Sequence, residues 1–446
     1  MESRKRKPSS TMPAPSISEV LHDEDLLRHI LVCLDALTNL VHAAHVSKRW
    51  LATAKDPEFL RDFYGAVTAQ HVSWASSPSV VSFKVLAVGT TAAAQPVPSP
   101  SLAAQPAPTQ APAIFVFGDG ALDVGNNNDL TGGEMGDAPH ANHHYYGIDF
   151  PPGNNPTGRF SNGYNVADFI AKAMGFELSP PAYASLSSPS PTKMEGFTGV
   201  NYASADAGIR NSTNADMTIP FSMQVANFGE TVAQLKALLG GHKPLNQFLS
   251  KSFFLIGVGT MDLLPESNPF DPPMDDKTRV QHLMDMYGST LTTLHSMGAR
   301  KFGIINVGLI GCVPSVQGSS GHGGGCDNGM NRLAAEFNAA LGPLLSDLNT
   351  RLHKFRYSLA DFYGFSNATF ANPSAAGFTN TNSVCCEGPC MPNSYFRAPC
   401  DNRMEYWFWD DGYTTEQAAK VAAAAFYSGK AFTAPVNLKC LVAMKG

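Results

Sequence analysis

The fold of this chain is decided by a stretch that reads Phe115-Val116-Phe117-Gly118-Asp119-Gly120-Ala121-Leu122-Asp123-Val124-Gly125-Asn126-Asn127-Asn128. A short apolar run bounded by glycine is typical of a buried β-strand, and the glycines, aspartates and asparagines after it are typical of a loop. We therefore predict a strand over Ile114–Phe117 with a polar loop at its carboxyl end.

Apolar runs and helical patterns alternate from residue 113 to residue 440. Four more strands are predicted at Val200–Ala203, Phe253–Val258, Phe302–Val307 and Tyr357–Ala360. Helices are predicted near residues 164–174, 223–239, 277–298, 329–354 and 415–427. This alternation indicates a parallel α/β sheet, in which functional groups lie on the loops at the carboxyl ends of the strands.

Further motifs follow the opening stretch in order. They are Tyr146-Gly147-Ile148-Asp149-Phe150, Thr157-Gly158-Arg159-Phe160-Ser161-Asn162-Gly163, Gly199-Val200-Asn201-Tyr202-Ala203-Ser204-Ala205, Gly311-Cys312-Val313-Pro314, Cys385-Cys386, and Phe408-Trp409-Asp410 with Thr415-Glu416. Together they resemble the plant GDSL esterase/lipase family of SGNH hydrolases. The resemblance implies a flavodoxin-like, three-layer α/β fold with helices on both faces of a parallel sheet.

The resemblance also implies where a catalytic triad would stand. The family's nucleophilic serine corresponds to Gly120, which has no side-chain oxygen. The histidine of its Asp-x-x-His-Pro-Thr-Glu motif corresponds to Tyr413, whose unperturbed pKa near 10 makes it a poor base at neutral pH. Asp410 is retained, but no imidazole is present for it to orient. We therefore expect the Ser-His-Asp mechanism to be lost.

The positions implied for the oxyanion hole also differ from the family pattern. The family's Gly-x-Asn-Asp reads Gly259-Thr260-Met261-Asp262, so a thioether that donates no hydrogen bond replaces an amide. The family's Ala-Ser-Gly-Gly-x-Gly keeps its last glycine as Gly208, but Ala205 and Asp206 replace the other two. We expect the carboxylate of Asp206 to repel a developing oxyanion. Asp119 and Asp262 match neighbouring positions that mostly hold loop backbone in the family.

No cofactor or metal is predicted. His143 and His144 are adjacent without a third spaced ligand, and His140 is nearby, a pattern more typical of a polar loop than of a metal site. Ser161 and Ser204 have no evident base beside them. Cys385, Cys386 and Cys390 suggest a disulfide or a buried free thiol, and their pairing is left open.

Residues 18–64 contain apolar side chains at helical spacing, which predicts two or three short amphipathic helices. Val46-Ser47-Lys48-Arg49-Trp50 and Asp56-Pro57-Glu58-Phe59-Leu60 resemble an F-box, a small all-α unit that binds the Skp-family adaptor of a cullin ubiquitin ligase. The residues expected to bind the adaptor are Leu26, Leu27, Ile30, Leu31, Leu34, Val46 and Trp50. An unrelated helical bundle is the alternative, and His22 stands where many F-boxes have proline.

These patterns divide the 446 residues into four parts. Residues 1–17 are predicted to be a disordered tail, 18–64 the F-box-like unit, 65–112 a Pro/Ala-rich linker, and 113–440 the GDSL-like domain. A net charge of −6 gives no general reason to expect nucleic acid as a partner. No apolar stretch reaches the roughly 18 residues that a membrane span requires.

The sequence carries conflicting indications of compartment. The N-terminus lacks the apolar region of a secretory signal, so we expect the cytoplasm or nucleus. The cysteines of the last third and the sequons Asn211-Ser212-Thr213 and Asn367-Ala368-Thr369 are instead typical of secreted domains. Three functions remain open: a catalytically inactive interaction protein or ubiquitin-ligase substrate adaptor, an active hydrolase of lipid or acyl esters that uses non-standard residues, and a degenerate or fused gene product.

Overall fold

The computed structural model describes residues 109–132, 136–186, 193–264, 274–319, 325–388, 390–392 and 397–445. The tail, the F-box-like unit with its seven predicted adaptor-binding residues, and the linker up to residue 108 lie outside the described residues. Residues at the end of the predicted linker are in contact with the domain, because Gln110 bonds the backbone of Met174 and the hydroxyl of Tyr427.

The described residues form a six-stranded central sheet and a separate two-stranded pair. The strands are β1 Ile114–Gly118, β2 Gly199–Asn201, β3 Phe253–Gly257, β4 Lys301–Ile305, β5 Arg356–Ala360, β6 Asn380–Val384, β7 Tyr406–Phe408 and β8 Thr433–Ala434. The central order is β2-β1-β3-β4-β5-β8, with every pair parallel except β5 and β8. The order reverses at β1 and β3, and the crevice outside their carboxyl ends is where such sheets bind ligands.

Helices cover both faces of the sheet. They are α1 Val166–Ala173, α2 Phe221–Leu238, α3 His242–Lys251, α4 Thr260–Leu263, α5 Asp276–Ser296, α6 Pro314–Ser319, α7 Asn328–Arg351, α8 Phe362–Ala371, α9 Glu416–Tyr427 and α10 Leu438–Ala443. Phe115 and Phe117 of β1 belong to a core cluster with α2, α5 and α7, while Ile114 and Val116 belong to one with α1, α9 and α10. The alternation of strand side chains thus produces the predicted three-layer α/β fold, which is confirmed.

All five predicted strands and all five predicted helices are present, with shifted ends. For example, β2 ends at Asn201 rather than at residue 203, because the Asn201 side chain accepts the N–H of Ala203 and turns the chain. Strands β6, β7 and β8 were not predicted, since each is short and has no alternating apolar pattern. None of the described helices is long and apolar enough to cross a membrane.

Three disulfides join pairs of cysteines that both lie among the described residues. Cys312 pairs with Cys326, Cys385 with Cys400, and Cys386 with Cys390. The first joins two residues on either side of the glycine-rich segment that precedes α7. The other two lie in a small buried cluster with Trp409, next to the loop that follows β7.

A hydrogen-bond network, here called the latch, joins the loop after β1 to the loop after β2. The buried carboxylate of Asp123 accepts the N–H groups of Gly125 and Asn126 through Oδ1 and of Ala205 through Oδ2. Asn126 donates to the carbonyls of Asn201 and Ala203 over 2.9 and 2.8 Å. The latch therefore determines where the loops at the carboxyl edge of the sheet lie.

Replacement of Asp123 by alanine tests this role. The change leaves the N–H groups of Gly125 and Asn126 without an acceptor and removes one of the two acceptors of the Ala205 N–H, so we expect the free energy of unfolding to fall by at least about 2 kcal/mol. The measurement is urea unfolding of the full chain. Asp347→Ala is the control, since the exposed Asp347–Arg351 pair contributes only about 0.5 kcal/mol. Equal losses in the two variants would contradict the role of the latch.

Candidate functional site

The carboxyl edge of the sheet brings together most of the predicted site residues. Asp119 directly follows β1, and its N–H donates to the carbonyl of Gly257 at the end of β3. Asp119, Met261 and Tyr413 line one cavity. Asp206 reaches the same place through a hydrogen bond from Tyr413.

Two predicted oxyanion-hole positions have other roles in the structure. The N–H of Ala205 bonds Asp123 and Asn127, so it belongs to the latch and is unavailable to a ligand. Gly208 packs against Thr213 and Asp262, and its carbonyl accepts the N–H of Phe221 at the start of α2.

Asp262 is a buried anchor for the loop after Gly208. Its carboxylate accepts the N–H groups of Ile209 and Arg210 over 2.7 and 3.1 Å, and the hydroxyl of Thr213 over 2.8 Å. This carboxylate therefore fixes loop backbone.

Asp410 has more partners than its sequence context suggested. Its Oδ1 accepts the N–H groups of Gly412 and Tyr413 over 2.9 and 2.7 Å, and its Oδ2 accepts the hydroxyl of Tyr146 over 2.6 Å. The expectation that Asp410 has nothing to orient is therefore wrong. It holds the turn that presents Tyr413, and it fixes the phenol of Tyr146.

The Tyr413 side chain extends from this turn across the site. Its hydroxyl donates to Oδ1 of Asp206 over 2.7 Å, and its ring centroid lies 4.8 Å from that of Phe160. Asp206 has a left-handed backbone with φ of 60°, a conformation that favours glycine but that aspartate adopts more readily than most residues. The predicted repulsive carboxylate is thus paired with the phenol.

Gly120 lies directly beneath the Tyr413 ring. A Cβ atom built on Gly120 would overlap Cε1, Cζ and the hydroxyl oxygen of Tyr413. The space that any side chain at position 120 needs is therefore already filled.

Burial shifts the ionisation of this region. The pKa of Asp119 is raised to about 7, mainly by burial and in smaller part by the charges of Asp206 and Asp262, against the lowering effect of the hydrogen bond from the N–H of Ala121. Burial also raises the pKa of Asp410 to about 6 and raises that of Asp206. Burial and the neighbouring carboxylates hold the pKa of Tyr413 well above its ordinary value, so its phenol stays protonated at neutral pH.

An apolar cavity of about 140 Å³ opens beside Tyr413. It begins at the carboxyl ends of β1, β3 and β4 and extends into the layer that holds α1, α8 and α9. Its walls include Leu122, Val166, Ile305, Phe362, Trp407 and Phe426. Sequence reasoning missed this cavity, because its walls come from apolar residues scattered along the chain.

Tyr146 and Glu416 were also missed, although both lie in motifs that the sequence contains. The N–H of Glu416 donates to Asn162, and the Glu416 carboxylate lies over Gly163, where a Cβ would overlap it. This contact joins the Ser-Asn-Gly motif to the Thr-Glu motif. It gives a physical reason for glycine at position 163.

The other candidate groups do not assemble a second site. The His140 ring bonds the carbonyl of Leu130, and the His143 ring bonds the carbonyl of His144. The described part of the chain contains no cluster of three metal-ligating side chains. The hydroxyls of Ser204 and Ser161 bond Asn127 and the carbonyl of Tyr164, respectively, and neither has a histidine partner.

The sequence resembles known proteins across this domain. Residues 114–426 match the family described as GDSL-like Lipase/Acylhydrolase. Three GDSL esterase/lipase proteins of Arabidopsis thaliana are similar. One is 36% identical over 339 residues, covering 72% of this chain and 88% of that protein. A second is 34% identical over 351 residues, which cover 75% of this chain and 86% of that protein. A third is 37% identical over 327 residues, which cover 69% of this chain and 85% of that protein. This chain therefore belongs to the GDSL lipase/acylhydrolase family.

Proposed function

We propose that this family member does not hydrolyse esters by the Ser-His-Asp mechanism and instead binds a ligand in its cleft. The observation that carries the proposal is the position of the Tyr413 ring over Gly120. The site lacks a hydroxyl at position 120, and the side chain in place of the base fills the space that such a hydroxyl would occupy. The apolar cavity beside it remains open to a ligand.

The expected size of the loss supports inactivity over a weakened enzyme. In hydrolases that lose triad members, the reaction is still about 10³–10⁴-fold faster than in water, because the oxyanion hole and substrate binding remain. Loss of one oxyanion-hole donor lowers the rate by a further factor of about 10²–10³. With Gly120, Tyr413 and Met261 at these positions, hydrolysis by the family mechanism should be close to background. The alternative, an active hydrolase with non-standard residues, rests on family membership.

The F-box-like sequence pattern near the N-terminus supports a role for the GDSL domain in binding a target protein. An F-box-like unit at residues 18–64 would connect the GDSL domain to the Skp-family adaptor of a ubiquitin ligase, with the cleft or another surface receiving the target. This role requires the cytoplasm or nucleus. The three disulfides count against that compartment, since disulfides persist mainly in oxidising environments.

A double-mutant cycle tests the steric coupling. Gly120→Ala should lower the free energy of unfolding by about 1–3 kcal/mol, because the new methyl group overlaps Tyr413. In a Tyr413→Ala background the same change should cost little, giving a coupling of at least about 1 kcal/mol in urea unfolding. Gly342→Ala, at a helical glycine with open space around it, is the control and should be neutral or stabilising. Additive effects would remove the basis of the proposal.

Hydrolysis of p-nitrophenyl acetate tests the absence of catalysis. We expect the hydrolysis rate of the natural protein to be within about tenfold of the uncatalysed rate. A higher rate is expected of the triple revertant Gly120→Ser, Tyr413→His, Met261→Asn, since it restores the nucleophile, the base and the amide donor. Gly120→Ser alone should stay inactive. Activity of the natural protein that Asp410→Ala abolishes would show that the proposal is wrong.

A pull-down with a purified Skp-family adaptor tests the partner. The full chain should be captured, and Leu27→Asp with Leu31→Asp should abolish capture, because charges on the predicted apolar face prevent docking. Asp347→Ala serves as the matched control. An intact peptide spanning residues 60–115, from protein isolated from cells, distinguishes a genuine fused chain from an artificial join. Failure of the natural chain to bind the adaptor would exclude the adaptor role.

A further inference from the structure

The cavity beside Tyr413 has an unusual charge composition. Asp119 is the only acidic residue among its described lining residues, which include no lysine, arginine or histidine. The Asp119 side chain is buried, with 8% of the residue exposed. Its Oδ1 accepts the N–H of Ala121 over 3.1 Å, while Oδ2 has no hydrogen bond within the described part of the chain.

Two of the other polar side chains that line the cavity, Asn306 and Ser366, already have hydrogen-bond partners. The Asn306 amide accepts the N–H groups of Phe362 and Tyr363 and donates to Asp361. The Ser366 hydroxyl donates to the carbonyl of Phe362. Oδ2 of Asp119 has spare capacity as an acceptor within the described part of the chain. The half-buried Thr260 and Thr414 also line the cavity.

Two more carboxylates lie behind the cavity, those of Asp206 and Asp262, and Asp262 is paired with Arg210 over 3.6 Å. Asp206 and Asp262 lie close enough to raise the pKa of Asp119, and Asp119, Asp206 and Asp410 act in the same direction on Tyr413. The hydroxyl of Tyr413 donates to Asp206 and is therefore not offered to a ligand. An anion entering the cavity would meet carboxylates and no compensating cation among the lining residues, an unfavourable arrangement in a site of low dielectric.

We propose that the cavity binds a small apolar molecule whose polar end donates a hydrogen bond to Asp119, an alcohol or an ammonium group, and that it excludes apolar carboxylates. The inference rests on the proposed binding function and specifies its ligand. A cavity of about 140 Å³ is close to the roughly 150 Å³ that holds benzene in an engineered apolar cavity, so the buried part of the ligand has about six to eight heavy atoms. The donor group replaces the water that Asp119 loses on burial.

Three probes of equal chain length distinguish the polar ends: 1-hexanol, hexylamine and hexanoate. Binding to the full chain is measured by calorimetry and ligand-observed NMR at pH 8, where Asp119, with its pKa near 7, is mostly ionised. We expect at least one of the two donor probes to bind at least tenfold more tightly than hexanoate. If 1-hexanol binds more tightly than hexylamine, the preferred group is an alcohol, and the reverse order identifies an ammonium group. Hexanoate affinity equal to that of both donor probes would overturn the inference.

Asp119→Asn provides the sharpest variant. The N–H of Ala121 requires an acceptor, so the amide oxygen should take the place of Oδ1 and the amide Nδ2 that of Oδ2. The cavity would then present a donor, and we expect hexanoate to gain at least tenfold while hexylamine weakens. Asp411→Asn, an exposed carboxylate outside the cavity, is the control and should leave the ratios unchanged. An unchanged preference in Asp119→Asn would contradict the assignment to Asp119.

A variant that narrows the cavity distinguishes failure of the proposed binding function from failure of the proposed ligand selectivity. Leu309 lines the cavity and is only half-buried, so Leu309→Trp should fill space while the protein remains folded, as thermal unfolding would verify. Binding of all probes should then be lost. Absence of binding to the natural protein, or binding unaffected by Leu309→Trp, would reject the binding function itself. Equal binding of all three probes that Leu309→Trp abolishes would reject only the selectivity.

Discussion

The buried carboxylate of Asp123 is the constraint on which the rest of the site depends. Burial raises its pKa and the N–H groups that it accepts lower it, with a net value of about 6, so backbone donors help to keep the charge in the interior. The asparagines that follow extend the same network to the loop after β2. None of these bonds involves a side chain at residue 120, so the latch does not depend on the family's serine. The family fold therefore does not require the family chemistry.

The substituted positions form one physical unit. Gly120 leaves space, Tyr413 fills it, and Asp206 accepts the Tyr413 hydroxyl. Asp410 holds the turn from which Tyr413 extends. A serine at position 120 would overlap the tyrosine, and a side chain without a donor group at position 413 would leave the Asp206 carboxylate without its hydrogen bond. This mutual dependence supports a site arranged around the phenol. The adjacent apolar cavity gives such a site space for a ligand.

Much of the fold could be predicted from the sequence, and the site only in part. The apolar runs of β1, β3, β4 and β5 are long enough to indicate buried strands, whereas β8, with two residues, has no pattern to read. At the site, the identities of Gly120, Tyr413 and Met261 already indicated a missing nucleophile, base and amide donor. The role of Asp410 was misjudged, because its partner Tyr146 lies far away along the chain and reaches it only through packing.

The sequence by itself determined five strands and five helices of the parallel α/β domain, the family motifs, and which functional groups are chemically absent. These properties depend on residue identity and on local periodicity, which need no tertiary structure. Only the tertiary structure decided that the Tyr413 side chain fills the space beside Gly120, that Asp206 is paired, and that Asp119 borders an apolar cavity whose described lining residues include no cation. The physical reason is that overlap, burial and pKa depend on which residues from distant parts of the chain are packed together at the carboxyl edge of the sheet.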